Sequence, residues 1–401
     1  MTITGSTQPP RLRILQVILS RGFAGSERAA AEACNALVQA HDVAIVLRRD
    51  HRNAAGASIR DYLAPDVEVF EVPALWRTRA ALGAVLRDWQ PDIVHTHLRR
   101  GTRHVVQLAT GVPHVATLHI DLNGPHFLRA DALCCISPWQ ARKLERAGYG
   151  GRVLEIPNSL VPHPRIDGER REQLRAEAAA TTGDFLIGGV GRLTEGKAFD
   201  VLIEAFRRAR LPNARLVLVG DGSQRSRLVQ LADGLPVVFT GFRDDAKDWY
   251  QAFDLFVSAS RREPFGRVII EALDAGTPVI ASDADGPRDI AVRYPIEITP
   301  VGDVDALAAA LRRAHSRPRG RLAVDLGEFH VARIAASLLD AYRQLLAVRQ
   351  GERSAAVGMA AADPSRQSFA KTRAAAATVA SMSASVCAIE TKPASNADGA
   401  R

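Results

Sequence analysis

From Arg11 onward the chain alternates short apolar runs with amphipathic stretches, and it runs through that alternation twice. Arg11–Leu19, Val43–Leu47, Val67–Phe70, Asp92–His95, His114–Leu118 and Ala132–Ile136 have the length and apolar content of buried strands. Among them, Ala29–Ala40 and Arg77–Trp89 carry apolar residues at helical spacing, and Ser137-Pro138 opens a further helix. Strands that are apolar throughout and separated by helices require a parallel sheet covered on both faces. The pattern restarts at Phe185–Gly191, continues through a helix over Lys197–Arg210 and a strand at Arg215–Val219, and runs on to about Ile298. The Pro-containing stretch Ile156–Arg165 reads as the linker, and helices at Asp303–His315 and Phe329–Val348 close the fold. The predicted class is therefore α/β, with two Rossmann-like parallel-sheet domains over residues 11–160 and 161–328 and a closing helix over 329–348. Two such halves imply a cleft, with ligands outside the carboxyl ends of the strands. Residues 349–401 shift to Ala, Ser and Thr with almost no aromatic residue, a composition that predicts a disordered tail.

At 401 residues the chain has room for two domains of ordinary size. Its net charge of +8 favours acidic partners without choosing among nucleic acid, anionic lipid and phosphorylated substrate. Cys34, Cys134, Cys135 and Cys387 form no C-x-x-C pair and keep no company with histidines at ligand spacing, so no metal site or disulfide framework is predicted. Arg11–Leu19 is too short and too interrupted by Gln16 for a signal peptide, and no run reaches the ~18 apolar residues of a membrane span. The expectation is a cytoplasmic protein.

The densest chemistry lies at Glu263-Pro264-Phe265-Gly266-Arg267-Val268-Ile269-Ile270-Glu271. Phe253–Ser258 reads as a strand before it, and Pro264 is expected in the first turn of the helix after it, with Glu271 about two turns in. Free amides near Phe265 and Gly266 would suit ligand oxygens. Two glutamates at this spacing are by themselves ordinary solvated helix residues. The longer segment E-P-F-G-R-V-I-I-E-A-L-D-A-G-T-P-V-I-A-S, however, closely resembles the donor-binding segment of glycosyltransferase family 4, whose hallmark is E-x7-E.

That resemblance covers roughly residues 11–348 and implies the GT-B fold, a nucleotide-diphosphate sugar as donor, and transfer with retention at the anomeric carbon. Gly191-Arg192-Leu193-Thr194-Glu195-Gly196-Lys197 looks like the family's diphosphate motif, with Ala198 where Gly is usual. The resemblance thus places Arg192 and Lys197 on the diphosphate, where two cations would neutralise the leaving group without a metal or other cofactor. Gly25-Ser26-Glu27 is similar to the family's Gly-Gly-x-Glu loop beside the diphosphate, Ala24 replacing the first Gly. By the same analogy His119 faces the transferred sugar, and backbone groups near Phe242 and Arg243 meet the base. Glu263 lies near the donor sugar with Phe265, Gly266, Arg267 and Val268, and Glu271 holds the ribose hydroxyls. His95 and His97 could line an acceptor pocket, although a structural role suits them better.

Through residue 160 the chain carries 19 Lys and Arg against 14 Asp and Glu, with Arg48, Arg49, Arg52, Arg99, Arg100 and Arg103 clustered. Trp76, Arg77, Arg79, Arg87 and Trp89 flank an otherwise apolar helix, which suits an anionic membrane surface. The expected acceptor is a glycan or glycolipid such as a lipopolysaccharide core or a polyprenyl-diphosphate-linked glycan, met on the inner face of the plasma membrane. UDP-sugars are the favoured donors, with a GDP-mannose-dependent mannosyltransferase of exopolysaccharide synthesis as the alternative. A nucleotide-binding oxidoreductase on a similar sheet is opposed by the absence of G-x-G-x-x-G after the first strand. Nucleic acid is not an expected partner, since no recognition motif is present and aromatic residues are only 5% of the chain.

Overall fold

The computed structural model describes residues 10–53 and 56–362, and the chain divides into two compact units. The first runs to Ile156 and resumes at Ile334, and the second is Pro157–Arg333. The division therefore falls inside the predicted Ile156–Arg165 linker, and the closing helix joins the first unit.

The first unit holds seven strands: β1 (Arg13–Ile18), β2 (Asp42–Arg48), β3 (Glu68–Val72), β4 (Ile93–His97), β5 (His114–Leu118), β6 (Ala132–Cys135) and β7 (Arg152–Glu155). They pair in parallel in the order β3-β2-β1-β4-β5-β6-β7. Helices α1 (Gly25–Leu37), α2 (Thr78–Trp89), α3 (Leu98–Leu108) and α4 (Pro138–Arg146) belong to this unit. Alternation along β1 sends Ile14 and Ile18 into one core with Ala30, Cys34, Leu37 and Tyr342, while Leu15 and Val17 pack on the other face with Leu82, Leu86 and Val105. Gln16 lies beside His95 in the β1–β4 register, and Ile18 lies beside His97.

The second unit repeats the plan with six strands: β8 (Phe185–Val190), β9 (Ala214–Val219), β10 (Val237–Gly241), β11 (Leu255–Ser258), β12 (Val279–Ser282) and β13 (Ile296–Thr299). Their order is β10-β9-β8-β11-β12-β13, again all parallel. Helices α5 (Gly168–Glu177), α6 (Phe199–Ala209), α7 (Arg225–Leu231) and α8 (Ala246–Ala252) accompany them, followed by α9 (Arg267–Asp274), α10 (Asp285–Ala291) and α11 (Val304–His315). Ile187, Leu216 and Leu218 meet Leu202, Phe206, Leu307 and Leu311 in one core.

Three expectations are corrected. Helix α3 was not predicted, because its sequence L-R-R-G-T-R-H-V-V-Q-L offers only a narrow apolar stripe. Helix α9 begins at Arg267, three residues after Pro264, because Gly266 takes φ +107°, a left-handed conformation that ends any helical turn before it. Glu271 consequently sits in the second turn. The final helix, α12 (Val331–Ala362), continues past residue 348, so residues 349–362 are helical where a disordered tail was predicted. The rest of that tail, 363–401, lies outside the described residues. Among the described residues, no helix is long and apolar enough to cross a membrane.

Candidate functional site

In a doubly wound sheet, ligands settle where the strand order reverses, because the loops there leave in opposite directions and open a crevice at the strand ends. The order β9-β8-β11-β12 puts that point between β8 and β11. Lys197 comes from the loop after β8 and Glu263 from the loop after β11, and Lys197 Nζ meets Glu263 Oε2 at 2.5 Å. The contact is partly buried, the Glu263 side chain being 11% exposed, so the carboxylate is held in place rather than solvated.

The surrounding loops are fixed by backbone bonds. The Leu193 amide donates to Asp221 O at 2.9 Å, the Gln224 amide to Leu193 O at 2.9 Å, and the Gly286 amide to Glu263 O at 2.9 Å. A Cβ at Gly286 would lie 2.5 Å from Phe265 O and 2.6 Å from Glu263 O, so only glycine allows α10 to press this closely on the Glu263 loop. Arg261 clamps Asp200 through both guanidinium nitrogens at 3.0 and 2.9 Å and also holds Glu195 O at 2.8 Å, tying the two loops together one layer further out.

Glu271 is also confined. Its Oε2 accepts from the hydroxyl of buried Tyr250 at 3.1 Å, and its Oε1 lies 3.9 Å from Arg267 one turn earlier. Arg192 is exposed and makes no ion pair among the described residues. The amides of Gly266 and Val268 lie at the start of α9, where no intrahelical acceptor is available. Phe242 is 63% exposed. The Arg243 side chain is taken up by Asp245 at 2.7 and 2.6 Å and by Glu177 at 3.1 Å, and pairing with Asp245 raises its pKa further. Only the backbone of Arg243 is left for a ligand.

In the first unit the sheet reverses between β1 and β4. After β1, Glu27 is buried and accepts from the Ser20 hydroxyl, from the Ala24 amide at 3.2 Å and from the Ser26 hydroxyl at 2.8 Å. Glu27 thereby shapes the turn in which Gly25, exposed at the first position of α1, stands.

Beside this turn lies a buried polar chain that sequence reasoning did not assemble. His119 Nε2 lies 2.8 Å from His97 Nδ1, and His97 Nε2 lies 2.8 Å from Gln16 Oε1. Gln16 Nε2 reaches the Tyr342 hydroxyl at 3.4 Å, which lies 2.6 Å from His95 Nδ1, and His95 Nε2 lies 2.6 Å from the Thr117 hydroxyl. The Gln16 amide oxygen can only accept, so His97 Nε2–H donates to it, and Gln16 Nε2–H donates to the Tyr342 hydroxyl. Neutral His97 then offers Nδ1 as an acceptor, and His119 Nε2–H donates to it. Burial, and then neighbouring His119 and His114, lower the His95 pKa to about 3. Burial with His95 and His119 holds His97 well below its ordinary value. His95 and His97 are therefore structural members of this chain. Their separation by two residues, both on one face of β4, was the only sequence signal for it.

Two such units, each with polar residues gathered at its reversal point, define the GT-B class of α/β fold. Residues 23–161 match a family model described as Glycosyltransferase Family 4, and residues 184–317 match one described as Glycosyl transferases group 1. The chain is 30% identical over 314 residues to the lipopolysaccharide core biosynthesis glycosyltransferase LpsD of Rhizobium meliloti (strain 1021), covering 74% of this chain and 85% of that protein. It is 32% identical to a GDP-mannose-dependent alpha-mannosyltransferase of Mycobacterium tuberculosis (strain CDC 1551 / Oshkosh), covering 59% of this chain and 68% of that protein. Among solved structures it is similar in fold to Anabaena HepE in complex with UDP and glucose, with a TM-score of 0.66 and 20% identity over 87% of this chain and 100% of that one. The chain belongs to glycosyltransferase family 4, and it is a glycosyltransferase.

Proposed function

We propose that the protein transfers a hexose from a UDP-sugar to a lipopolysaccharide-core or lipid-linked glycan acceptor in envelope polysaccharide synthesis, with retention at the anomeric carbon. The observation that carries this reading is the Lys197–Glu263 pair at the β8–β11 reversal, with Arg192 unpaired in the same loop. A donor diphosphate gains charge as its bond to the sugar breaks, and Lys197 with Arg192 would meet that charge through preorganised cations. Glu263 and the amides of Phe265, Gly266, Arg267 and Val268 would hold sugar hydroxyls, and Glu271 the ribose. Backbone groups at Phe242 and Arg243 would meet the base, and the Gly25 turn would flank the diphosphate. His119 would face the transferred sugar. In the transfer step the acceptor oxygen bonds to the anomeric carbon on the face from which the diphosphate leaves, and its proton passes to the departing phosphate oxygen. These side chains supply the charge and positioning with no metal or cofactor.

The LpsD relative supports the lipopolysaccharide acceptor, and the UDP bound to HepE supports the base. The mannosyltransferase relative favours a second reading with GDP-mannose as donor. Incubation with UDP-glucose, UDP-galactose, UDP-N-acetylglucosamine or GDP-mannose and isolated lipopolysaccharide core separates the two readings. One UDP-sugar is expected to yield nucleoside diphosphate and a product whose anomeric proton coupling matches that of the donor. Turnover of GDP-mannose alone would establish the second reading, and an inverted product would end the retaining mechanism.

A further inference from the structure

The first unit contains a cavity of about 480 Å³ that none of these roles uses. Arg48 at the end of β2, Arg79 in the first turn of α2, and Arg100 and Arg103 on α3 all line it. Like charges are ordinarily kept apart or paired, because each repels its neighbours and loses hydration on burial. Here only Arg48 has a carboxylate partner, Asp50 at 2.8 Å, and that carboxylate is shared with Arg21. Arg79, Arg100 and Arg103 make no ion pair among the described residues. Burial, and then Arg48 and Arg103, lower the pKa of Arg100.

Two further polar atoms in the lining are buried without partners. Arg48 is 9% exposed with its Nε unsatisfied, and His104 is 8% exposed with its Nδ1 unsatisfied. Burial and the three α2 and α3 arginines keep His104 biased toward its neutral form. At the rim, Leu75 holds φ +64°, a left-handed conformation disfavoured for a leucine, and it and Trp76 are 82% and 79% exposed. Three guanidiniums with no ion pair among the described residues, beside the unsatisfied Arg48 Nε and His104 Nδ1, are complementary to a compact polyanion, and an apolar rim suits what carries it.

We infer that this cavity binds a phosphoryl group, held by Arg48, Arg79, Arg100 and Arg103 and carried on a sugar that packs against Trp76. On the proposed transferase reading the carrier is the acceptor glycan, which adds phosphorylation to the acceptor's specification. The phosphoryl site itself does not depend on that reading.

The test is titration of the full-length protein with inorganic phosphate and with glucose 6-phosphate, followed by calorimetry. Wild type is compared with Arg100→Gln/Arg103→Gln, with Arg79→Gln and with Lys197→Ala. Saturable binding is expected, tighter for glucose 6-phosphate, weakened at least about tenfold in the double variant and less in Arg79→Gln, because charge-assisted contacts to phosphate are lost. Glucose 6-phosphate binding is expected to be unchanged in Lys197→Ala, since Lys197 does not line the cavity. The double variant is expected to melt no lower than wild type, because removing clustered like charges relieves repulsion, and Arg79→Gln gives the same reading from a single exposed position. No binding, or binding that survives in the double variant, or binding lost in Lys197→Ala, overturns the site. Vesicles with one-fifth phosphatidylglycerol identify the source. Vesicle capture reversed by glucose 6-phosphate makes it a lipid headgroup, and absent capture with retained glucose 6-phosphate binding makes it a glycan phosphate. Failure of every nucleotide sugar to bind would sink the donor reading and leave this site standing.

Discussion

Replacing Lys197 by alanine is expected to lower kcat by about 10²–10³-fold, the usual cost of removing one preorganised charge from a site where negative charge develops. Lys197 is not a loose surface cation. Its ammonium is fixed against Glu263, in a loop whose own backbone is pinned by Asp221, Gln224 and Arg261. On the proposed reading the diphosphate carries more charge in the transition state than in the bound donor. Losing the ammonium should therefore fall mainly on kcat, with a smaller change in donor affinity. Lys197→Arg keeps the charge on a bulkier head and should recover part of the loss. Steady-state kinetics with the active donor decides it. A kcat for Lys197→Ala within threefold of wild type would remove Lys197 from the chemistry.

The second large effect is on stability. Lowering the pH from 7 to 5 is expected to destabilise the first unit by about 4 kcal/mol through His95 and His114 alone. Burial lowers His95 to about 3 and His114 to about 4, so both stay neutral in the folded unit at pH 5. In the unfolded chain each takes up a proton near its ordinary value of about 6.5. The unfolded state then binds more protons, so stability falls as the pH drops below about 6.5 and continues to fall until the folded pKa values are reached. His97, displaced in the same direction, adds to the effect. Urea unfolding at pH 7 and pH 5, read by hydrogen exchange in peptides of β4 and β5, measures this unit separately from the other. Equal stability at the two pH values would mean that these imidazoles are charged or solvated in the native state.

The fold was legible because its signals are local. Runs such as Val43–Leu47 and Leu216–Val219 are apolar throughout, as strands buried on both faces must be, and the helices between them require parallel pairing. The two unit-2 loops that meet through Lys197 and Glu263 were legible for the same reason, since Glu263, Gly266 and Glu271 lie within nine residues and Arg192 and Lys197 within six. Long-range partners were not legible. His95 meets Tyr342 from 247 positions away, and no periodicity brings Gln16 to Tyr342 across 326 positions. Helix α3 was missed because its contact with the sheet depends on close backbone approach rather than on large apolar side chains. At Gly101 a Cβ would stand 3.1 Å from Val17 O. The arginine cavity was visible only as a list of basic residues, because three elements far apart in sequence are needed to enclose it.

Calorimetric titration of the folded protein and of Glu271→Ala with UDP-glucose, UDP-galactose and GDP-mannose tests the account most directly. Glu271 is buried to 12% side-chain exposure and oriented by Tyr250 and Arg267, so a ribose bound there would meet a prepared acceptor. Wild type is expected to bind one nucleotide sugar, and Glu271→Ala to bind it at least about tenfold more weakly through loss of a charge-assisted hydrogen bond. Equal affinity in the variant, or no binding of any nucleotide sugar to folded wild type, would contradict the placement of the donor in this site.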